Sequence, residues 1–301
     1  MTPDWIAIDW GTTNLRGWAM GQGGVLAHAE SDKGMSKLSR DAFEPALLEM
    51  ISPWLRAGVT IPVVACGMVG SRQGWHEAPY RAVPCTPLPR GTMVAVPVQD
   101  DRFSLHIAPG LKQESPTDVM RGEETQIAGA LALHPQFDGA LCLPGTHSKW
   151  AQISAGEVVS FQTYMTGEVF ALLSKQSVLA AGMAQTGWDD GAFDIGVRDG
   201  MARPERILAQ MFRLRAEGLI AGLSPQAAKA RLSGLLIGAE LAGAKAYWLG
   251  NRVALVGNPS LTAAYARALA LQSVQAECLA GSDCTLAGLG FAKGSYEKAA
   301  E

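Results

Sequence analysis

The sequence predicts an α/β protein of two similar domains, in which mixed sheets carry helices on their faces. Apolar strand segments alternate with helical segments along the chain, as in domains that pack helices on a sheet. A pattern of strand, Gly-Thr turn, strand, glycine turn and strand opens the chain and returns with Gly145 in the place of Gly11. The 301 residues are 48% hydrophobic and include 34 glycines, enough for two apolar cores with many tight turns.

The predicted first half begins with a meander of three strands, at residues 5–10, 15–20 and 25–30. Its first connection is GTTN, and its second, GQGG, has the glycine content of a two-residue hairpin turn. A helix is predicted at 41–57, with Asp41 as its cap and Glu44 completing a capping box. Three further segments follow: a buried strand at 61–66, loops and short strands over 80–118, and a helix that starts near Gly122.

The predicted second half repeats the meander and then becomes mainly helical. Its strands lie at 140–143, 149–153 and 158–163, and PGTHS forms the first turn. The later elements are helices at 167–181, 204–217 and 225–246, a strand at 252–256, a helix at 261–272 and a short last helix at 286–294. These elements place an N-terminal domain at 1–134, with 285–301 as a candidate return to it, and a C-terminal domain at 135–284.

Composition and charge exclude several classes of function. The net charge is −3, so no basic footprint indicates nucleic-acid binding. The longest apolar stretches carry charges, which argues against a membrane span. Five cysteines without a CxxC pair indicate reduced thiols, and the first residues show no signal-peptide pattern. Together these features predict a cytoplasmic protein that binds neither nucleic acid nor a membrane.

The two Gly-Thr turns are candidate phosphate sites. A Gly-Thr turn between strands presents backbone N–H groups and hydroxyls, which bind phosphate oxygens. Two turns that face each other across a cleft would hold the phosphates of a nucleotide from both sides. The candidate phosphate-binding residues are Gly11, Thr12, Thr13, Arg16, Gly145, Thr146 and His147. The competing interpretation is structural, because Gly-Thr turns occur in many β-rich proteins.

Charged groups beside the turns suggest how a phosphoryl group would be transferred. Asp9, at the end of a predicted buried strand, would orient Mg²⁺ through water, since this ion keeps several waters. Arg16 or Lys149 would offset charge that develops on the phosphoryl group. A third turn, GNPS, offers Gly257, Asn258 and Ser260 for adenosine contacts, or is an ordinary strand-to-helix connection.

Several segments resemble known motifs. IDWGTTNLR resembles the first phosphate motif of the sugar kinase, Hsp70 and actin superfamily, LPGTHSKW its second, and ALVGNPSLTAAYARAL its adenosine motif. Five segments together resemble the 2-dehydro-3-deoxygalactonokinase family over nearly the whole chain: VACGMVGSRQGWHEAPY, DVMRGEETQIAGAL, LPGTHSKW, TYMTGEVFALLS and LSGLLIGAEL. The resemblance implies two ribonuclease H-like domains of the actin-like ATPase type with an active-site cleft between them. It also implies ATP-dependent phosphorylation of 2-dehydro-3-deoxy-D-galactonate on its 6-hydroxyl, in galactonate breakdown.

The acceptor hydroxyl needs a carboxylate nearby, as base or as orienting group. Sugar kinases of the superfamily place one at the start of the helix before the second phosphate motif. Asp118, Glu123 and Glu124 all qualify by position, beside Asp9 at the first turn. The glutamate pair is favoured because it begins the helix, although acidic residues also stabilise a helix N-terminus without any catalytic role.

A 2-keto acid substrate carries a carboxylate, for which arginine is the natural bidentate partner. Arg72 lies in the glycine-bounded loop GMVGSRQGW, with Ser71, Gln73 and Trp75 beside it. Such a loop would surround a small sugar acid and use the tryptophan as an apolar wall. Arg121 and Lys149 are further candidate substrate contacts, and an ordinary surface loop is the alternative interpretation.

Four functions stay open at this stage, with a kinase for 2-dehydro-3-deoxy-D-galactonate as the first choice. The second is a kinase for another 2-keto-3-deoxy sugar acid, since the sequence does not separate galacto from gluco stereochemistry. The third is an exopolyphosphatase-like phosphohydrolase, and the fourth an actin-like or chaperone-like ATPase switch. The expected binding partner is a small sugar acid. A homodimer is the oligomeric state considered for the chain.

Overall fold

A computed structural model describes residues 2–89 and 91–297 of the chain. Residue 90 and the last part of the predicted C-terminal return, 298–301, therefore lie outside the described residues. The chain divides into two compact units. The first comprises Met1–Phe137, Ser154–Ser160 and Gly281–Glu301, and the second comprises Asp138–Ile153 and Phe161–Ala280. Within the described ranges, no helix combines the length and apolar character that crossing a bilayer requires.

The strands of the described residues are, in chain order, β1 (Trp5–Trp10), β2 (Leu15–Gly21), β3 (Gly24–Ser31), β4 (Ile61–Gly67), β5 (Tyr80–Ala82), β6 (Val94–Val96), β7 (Phe103–Ile107), β8 (Gly110–Glu114), β9 (Thr117–Met120), β10 (Gly139–Leu143), β11 (Ser148–Ser154), β12 (Glu157–Tyr164), β13 (Val253–Gly257) and β14 (Ala276–Ala280). The α-helices are α1 (Phe43–Ile51), α2 (Glu123–Leu133), α3 (Thr166–Gln176), α4 (Asp190–Ala202), α5 (Ile207–Ile220), α6 (Pro225–Gly243), α7 (Lys245–Trp248), α8 (Pro259–Ala270) and α9 (Gly281–Glu297).

The first unit is built on a six-stranded sheet in the order β3-β2-β1-β4-β7-β6. β1 pairs antiparallel with β2 and parallel with β4, which in turn pairs parallel with β7. An antiparallel meander extended by parallel strands beside β1 is the order of a ribonuclease H-like domain. A second, three-stranded sheet of this unit has the order β5-β8-β9 and ends next to the start of α2.

The second unit repeats the same strand order, as β12-β11-β10-β13-β14. β10 pairs antiparallel with β11 and parallel with β13, and β13 pairs parallel with β14. Both predicted meanders are therefore present, and the prediction of an α/β fold with two ribonuclease H-like domains is confirmed. The match follows from residue patterning, because a buried strand, a glycine turn and a returning strand occur in the same order twice.

Both faces of the first sheet are buried, and the side chains of β1 point alternately into a core on each face. Ile6, Ile8 and Trp10 pack in one cluster with residues of α1, such as Leu47. Ala7 points to the other face, where it packs in a cluster with residues of α2 and α9, such as Leu289. Full burial of a large aliphatic side chain contributes roughly 1.5–3 kcal/mol, so this strand is a main source of stability.

Two helix pairs are in direct backbone contact through glycines. A Cβ added at Gly234 of α6 would lie 2.2 Å from the Phe193 carbonyl oxygen of α4. A Cβ at Gly129 of α2 would lie 1.7 Å from the Cys284 carbonyl oxygen of α9. No side chain fits at such distances, so glycine is required for these helices to approach so closely. In the described part of each unit, glycine thus allows a close helix crossing.

The structure corrects four predicted details of secondary structure. The first helix begins at Phe43, because Arg40–Ala42 form a 3₁₀ turn, and no side chain caps it. Glu44 instead accepts hydrogen bonds from the backbone N–H groups of Gln99 and Asp100, at 2.7 and 2.9 Å. α4 and β14 were not predicted, because three glycines weaken the helical signal of α4 and the five residues of β14 are mostly exposed. The last helix is also longer than predicted, at 17 residues.

We expect Gly234→Ala to destabilise the second unit, because its Cβ would collide with the backbone of α4. The expected loss is roughly 1–3 kcal/mol in the free energy of unfolding, measured by urea denaturation. Gly290→Ala in α9 is the matched control, since a Cβ there meets no atom within 4 Å. Helical Gly→Ala at an open position adds stability, about 0.5–1 kcal/mol. Equal effects of both variants would contradict the close crossing.

Candidate active site

The first Gly-Thr turn joins β1 to β2 and is held from behind by a glycine. The Gly11 N–H donates to the Asn14 carbonyl oxygen at 2.9 Å, which closes the turn. A Cβ at Gly34 would lie 2.1 Å from the Thr13 carbonyl carbon, so the chain after β3 packs directly on the turn backbone. Thr12 and Thr13 are exposed at the tip. The turn is therefore fixed from one side and open on the other.

Asp9 lies at the end of β1, opposite Arg16 in the register of β2. Arg16 Nη1 is 3.6 Å from Asp9 Oδ2, and the side chain of Asp9 is 21% exposed. Burial raises the pKa of Asp9, the Arg16 guanidinium lowers it, and the Glu123 carboxylate raises it. The first unit thus concentrates two carboxylates and one guanidinium beside its Gly-Thr turn.

Two glycines bring the start of α2 next to Asp9. Gly67, which ends β4, has a φ of +91°, and Gly122, which precedes α2, has a φ of +104°. A Cβ at Gly122 would lie 3.3 Å from the Cα of Gly67, and one at Gly67 would lie 3.6 Å from Asp9 Oδ1. Both conformations favour glycine, and its small size leaves space beside the Asp9 carboxylate.

The two glutamates that begin α2 have different surroundings. Glu124 is fully buried and accepts hydrogen bonds from the Gly122 N–H at 2.6 Å and the Thr125 hydroxyl at 3.1 Å. Burial, and then the neighbouring Glu123 carboxylate, raise the pKa of Glu124 to about 8. Glu123 is only half-buried, and its carboxylate accepts from the Arg121 N–H at 3.0 Å. Of the pair, Glu123 is therefore the residue that is accessible from solvent.

Asp118, the third candidate carboxylate, lies in β9, opposite Gln113 of β8. Its Oδ1 accepts a hydrogen bond from the Val119 N–H at 2.7 Å. This local bond is typical of aspartates that shape the backbone around them. The structure therefore places Asp118 in the small sheet before α2. Of the three candidate carboxylates, Glu123 is the one whose charge raises the pKa of Asp9.

The predicted sugar-acid loop follows β4 and begins with a 3₁₀ turn, Met68–Gly70. Arg72 and Gln73 are exposed, and Trp75 is half-buried against Trp10, with ring centroids 6.3 Å apart. Ser71 is buried, and its hydroxyl has no hydrogen-bond partner among the described residues. The loop therefore presents Arg72 and Gln73 outward and anchors itself through Trp75.

Arg121 holds this loop at its far end. Its Nη2 donates to the Ala78 carbonyl oxygen at 2.7 Å, and its guanidinium carbon lies 4.3 Å from the centroid of the Tyr80 ring. The side chain is only 9% exposed. Through these contacts Arg121 supports the loop, and its contact with the substrate stays a prediction.

The second Gly-Thr turn joins β10 to β11 and is also backed by a glycine. A Cβ at Gly167, in the first turn of α3, would lie 2.2 Å from the Gly145 carbonyl oxygen. The Glu168 N–H donates to the Thr146 carbonyl oxygen at 2.9 Å, and the Glu168 carboxylate pairs with His147 Nε2 at 2.5 Å. His147 is thus tied to α3. Lys149 lies in β11 opposite Leu143 and is 5% exposed, so it is a buried residue of the sheet.

A cavity of about 630 Å³ opens in the second unit. This volume is typical of small-ligand sites. Its walls come from the second Gly-Thr turn, the start of α3, the segment before α4, and helices α4, α6 and α8. The lining residues are Gly145, Thr166, Gly167, Phe170, Trp188, Asp190, Phe193, Lys229, Ser233, Leu236, Ile237, Ser260, Leu261, Ala263, Ala264, Tyr265 and Arg267. Gly145 places the turn at the edge of a largely apolar pocket.

The predicted adenosine motif lies at the start of α8. Ser260 lines the cavity, and Asn258 caps the helix by accepting from the Ser260 N–H at 2.9 Å. A Cβ at Gly257 would lie 3.4 Å from the Pro144 carbonyl oxygen, so this glycine packs on the second Gly-Thr turn. Gly257 and Asn258 therefore position Ser260.

Sequence reasoning missed the aromatic side of the cavity. Trp188 and Phe193 pack with ring centroids 5.6 Å apart, and Phe193 belongs to the unpredicted helix α4. The only local signal was the aromatic content of GWDDGAFDIG. The three glycines of this segment are more typical of a loop than of a helix.

Comparison with known proteins identifies the family. A family model described as 2-keto-3-deoxy-galactonokinase matches residues 9–292. The chain belongs to this family. It is 37% identical over 292 residues to the 2-dehydro-3-deoxygalactonokinase of Escherichia coli (strain K12), covering 96% of this chain and 97% of that protein. A Rhizobium meliloti (strain 1021) protein assigned the same activity is 36% identical over 296 residues, covering 96% of each chain.

A solved structure agrees with this family. The crystal structure of a Sinorhizobium meliloti protein assigned as a 2-dehydro-3-deoxygalactonokinase is similar, with a TM-score of 0.87 and 35% identity. The similarity covers 96% of this chain and 97% of that one. As a member of this family, the chain is a kinase, a phosphotransferase that acts on an alcohol group. Membership in a kinase family also implies that the chain uses ATP.

The raised pKa of Glu124 predicts a pH-dependent stability. Between pH 4.5, the ordinary value, and about 8, the unfolded chain loses this proton while the folded chain keeps it. The wild type therefore loses stability as pH rises through this range. We expect Glu124→Gln to avoid that loss and to gain roughly 1 kcal/mol or more on the wild type between about pH 5 and pH 8.5. Thermal unfolding of both proteins at both pH values measures this gain. A stability difference between variant and wild type that is the same at both pH values would contradict a buried neutral carboxyl at Glu124.

Proposed function

We propose that this chain transfers the terminal phosphoryl group of ATP to the 6-hydroxyl of 2-dehydro-3-deoxy-D-galactonate, with Mg²⁺ as cofactor. The observation that carries the proposal is the nucleoside-sized cavity with the second Gly-Thr turn at its edge, in a chain of this kinase family. Its product would enter galactonate breakdown. The other 2-keto-3-deoxy sugar acids are the competing substrates, and a phosphohydrolase is the competing activity.

The second unit would bind the nucleotide. The apolar walls around Phe193 and Leu236 suit the faces of a purine, and Ser260 suits its polar edge or ribose. At the edge of the cavity, the backbone at Gly145 and Thr146 would bind phosphate oxygens, because Gly167 holds this turn rigid from behind. His147 would reach the phosphates only by leaving its pairing with Glu168.

The residues of the first unit fit a magnesium ion. Mg²⁺ is usually held by one or two carboxylates together with waters and substrate phosphates. Asp9 and the nearby Glu123 offer these two carboxylates. Gly67 has no side chain, which leaves room beside the Asp9 carboxylate. Magnesium would neutralise phosphate charge when bound. No group of three or more His, Cys, Asp or Glu in the described part of the chain forms a closed metal cage.

We assign the carboxylate that acts on the acceptor hydroxyl to Glu123. A general base has to be ionised and within reach of the proton that it accepts. Glu124 is fully buried with a pKa of about 8, so it is largely protonated at neutral pH. Glu123 begins the same helix, is half-buried and interacts with Asp9. Arg16, paired with Asp9, would keep that carboxylate oriented and add positive charge near the phosphates.

The sugar acid would bind to the loop after β4. Arg72 is exposed, and its backbone oxygen accepts from Arg40 Nη2 at 2.9 Å, which holds the loop in place. A guanidinium so placed suits the bidentate recognition of a carboxylate. Gln73 adds a polar group beside it, and Ser71 supplies a buried hydroxyl without a described partner.

The deciding experiment measures ADP release in a coupled assay with ATP and Mg²⁺. We expect turnover only with a 2-keto-3-deoxy sugar acid, highest with 2-dehydro-3-deoxy-D-galactonate in a panel that includes the gluconate epimer and D-galactonate. Phosphorus NMR of the product should place the phosphate on C6. Asp9→Asn should lose about 100-fold or more in turnover while keeping its melting temperature. Rapid ADP release without any acceptor would instead establish a hydrolase.

Arg72→Ala tests how the acceptor is recognised. A charge-assisted pair contributes roughly 1.5–3 kcal/mol, so the KM for the sugar acid should rise about tenfold or more. The KM for ATP should stay unchanged, because the proposed nucleotide site is in the other unit. Arg56→Ala, which removes an exposed arginine between α1 and β4, is the matched control. Parallel rises in both KM values would argue that Arg72 does not bind the acceptor.

A further inference from the structure

A buried carboxylate lies inside α6, next to the cavity of the second unit. Glu240 is 3% exposed, and its neighbours in the helix are apolar. Trp150 Nε1 donates to Oε1 at 2.8 Å, and the Tyr265 hydroxyl donates to Oε2 at 2.7 Å. The side chains of Thr166 and Ser148 also hydrogen-bond to it. Such a group costs several kcal/mol to bury unless donors satisfy it, and here four neutral polar side chains surround it.

These partners attach to both sides of the second Gly-Thr turn. Ser148 directly follows His147, so it is the first residue of β11 after the turn. Thr166 directly precedes Gly167, the glycine that packs on the Gly145 carbonyl oxygen. One carboxylate thus holds the strand that leaves the turn and the helix end that supports the turn from behind.

The fourth donor connects the same carboxylate to the wall of the cavity. Tyr265 of α8 lines the cavity and is 1% exposed. Its hydroxyl lies 2.9 Å from the Ser148 hydroxyl, so turn, helix and cavity wall share one hydrogen-bond network. All of these residues belong to the second unit.

We propose that Glu240 is the positioning residue of the second phosphate turn, holding Ser148 and Thr166 so that the turn backbone stays aimed at the nucleotide phosphates. This inference rests on the proposed function, because it takes the cavity as the nucleotide site. Glu240 does not line the cavity itself, so its effect on phosphates would pass through the turn. A backbone phosphate site depends on donors that are oriented in advance, and this network supplies the rigidity.

The chemistry of the network explains why this residue is a carboxylate. A glutamate side chain offers two acceptor oxygens, and here Trp150 donates to one and Tyr265 to the other. Glutamine of the same shape has one acceptor oxygen instead of two, so the hydroxyls on its N–H2 side would have to turn round and accept. Burial raises the pKa of Glu240, and the hydrogen bonds from Thr166, Tyr265, Trp150 and Ser148 only partly oppose that rise. A purely structural position would tolerate an apolar residue of similar size.

The test compares three ligands that share a base but differ in phosphates. Binding of ATP, ADP and adenosine is measured by calorimetry for the wild type, Glu240→Gln and Thr166→Val. We expect both variants to bind ATP and ADP about tenfold more weakly or worse. Glu240→Gln should keep adenosine affinity within about twofold of wild type, because Glu240 does not line the cavity, as Thr166 does. Turnover should fall with them, and the KM for the sugar acid should not change. Thr166→Ser keeps the hydroxyl and should restore ADP binding.

A matched control separates positioning from lost stability. Trp248→Phe removes another buried indole hydrogen bond of this unit, to the Leu241 carbonyl oxygen, without touching the turn. It should lower the melting temperature and leave the ratio of ADP to adenosine affinity unchanged. If Glu240→Gln and Thr166→Val behave in the same way as Trp248→Phe, the inference is overturned. A wild type that binds neither ADP nor ATP overturns the proposed function, whereas a binding wild type with unchanged variants overturns only the role of Glu240.

Discussion

The structure depends on backbone-to-backbone contact at glycine. In each unit, the Gly-Thr turn of the opening meander is backed by a glycine from the segment that follows the meander, Gly34 in the first and Gly167 in the second. The contacts are too close for any side chain, so the turn backbone is fixed by the chain behind it. Phosphate recognition by main-chain N–H groups requires such rigidity, because a mobile loop would lose entropy whenever a ligand bound.

The same constraint organises the helices that carry or line the proposed site residues of each unit. In the first unit, Gly129 lets α2, which carries Glu123, lie against α9. In the second unit, Gly234 lets α6 approach α4, and both helices line the cavity. The same two helices, α2 and α6, also carry buried acidic side chains. Glu124 and Glu240 are satisfied by neighbouring donors, and Asp9 stays partly exposed beside Arg16.

Local patterns predicted the sheets well and the helices less well. Both meanders follow from apolar strands broken by glycine turns, and these signals are confined to a few residues. The helix at Asp190–Ala202 was missed because its glycines are locally typical of a loop, whereas in the fold Gly196 and Gly200 permit contact with α6. The expected cap at Asp41 failed because a 3₁₀ turn occupies that position and Glu44 bonds to a distant loop. In both cases tertiary contact overrode local preference.

By itself, the sequence determined the α/β class, the duplicated meander, the two Gly-Thr turns and the resemblance to a sugar-acid kinase family. It also placed Asp9, the glutamate pair and Arg72 on the list of candidate residues. Only the tertiary structure separated Glu123 from Glu124, because burial is a property of the packed chain and not of the residue type. It alone also revealed Glu240, whose donors come from elements up to 92 residues before it and 25 after it, and converge only once the unit has folded.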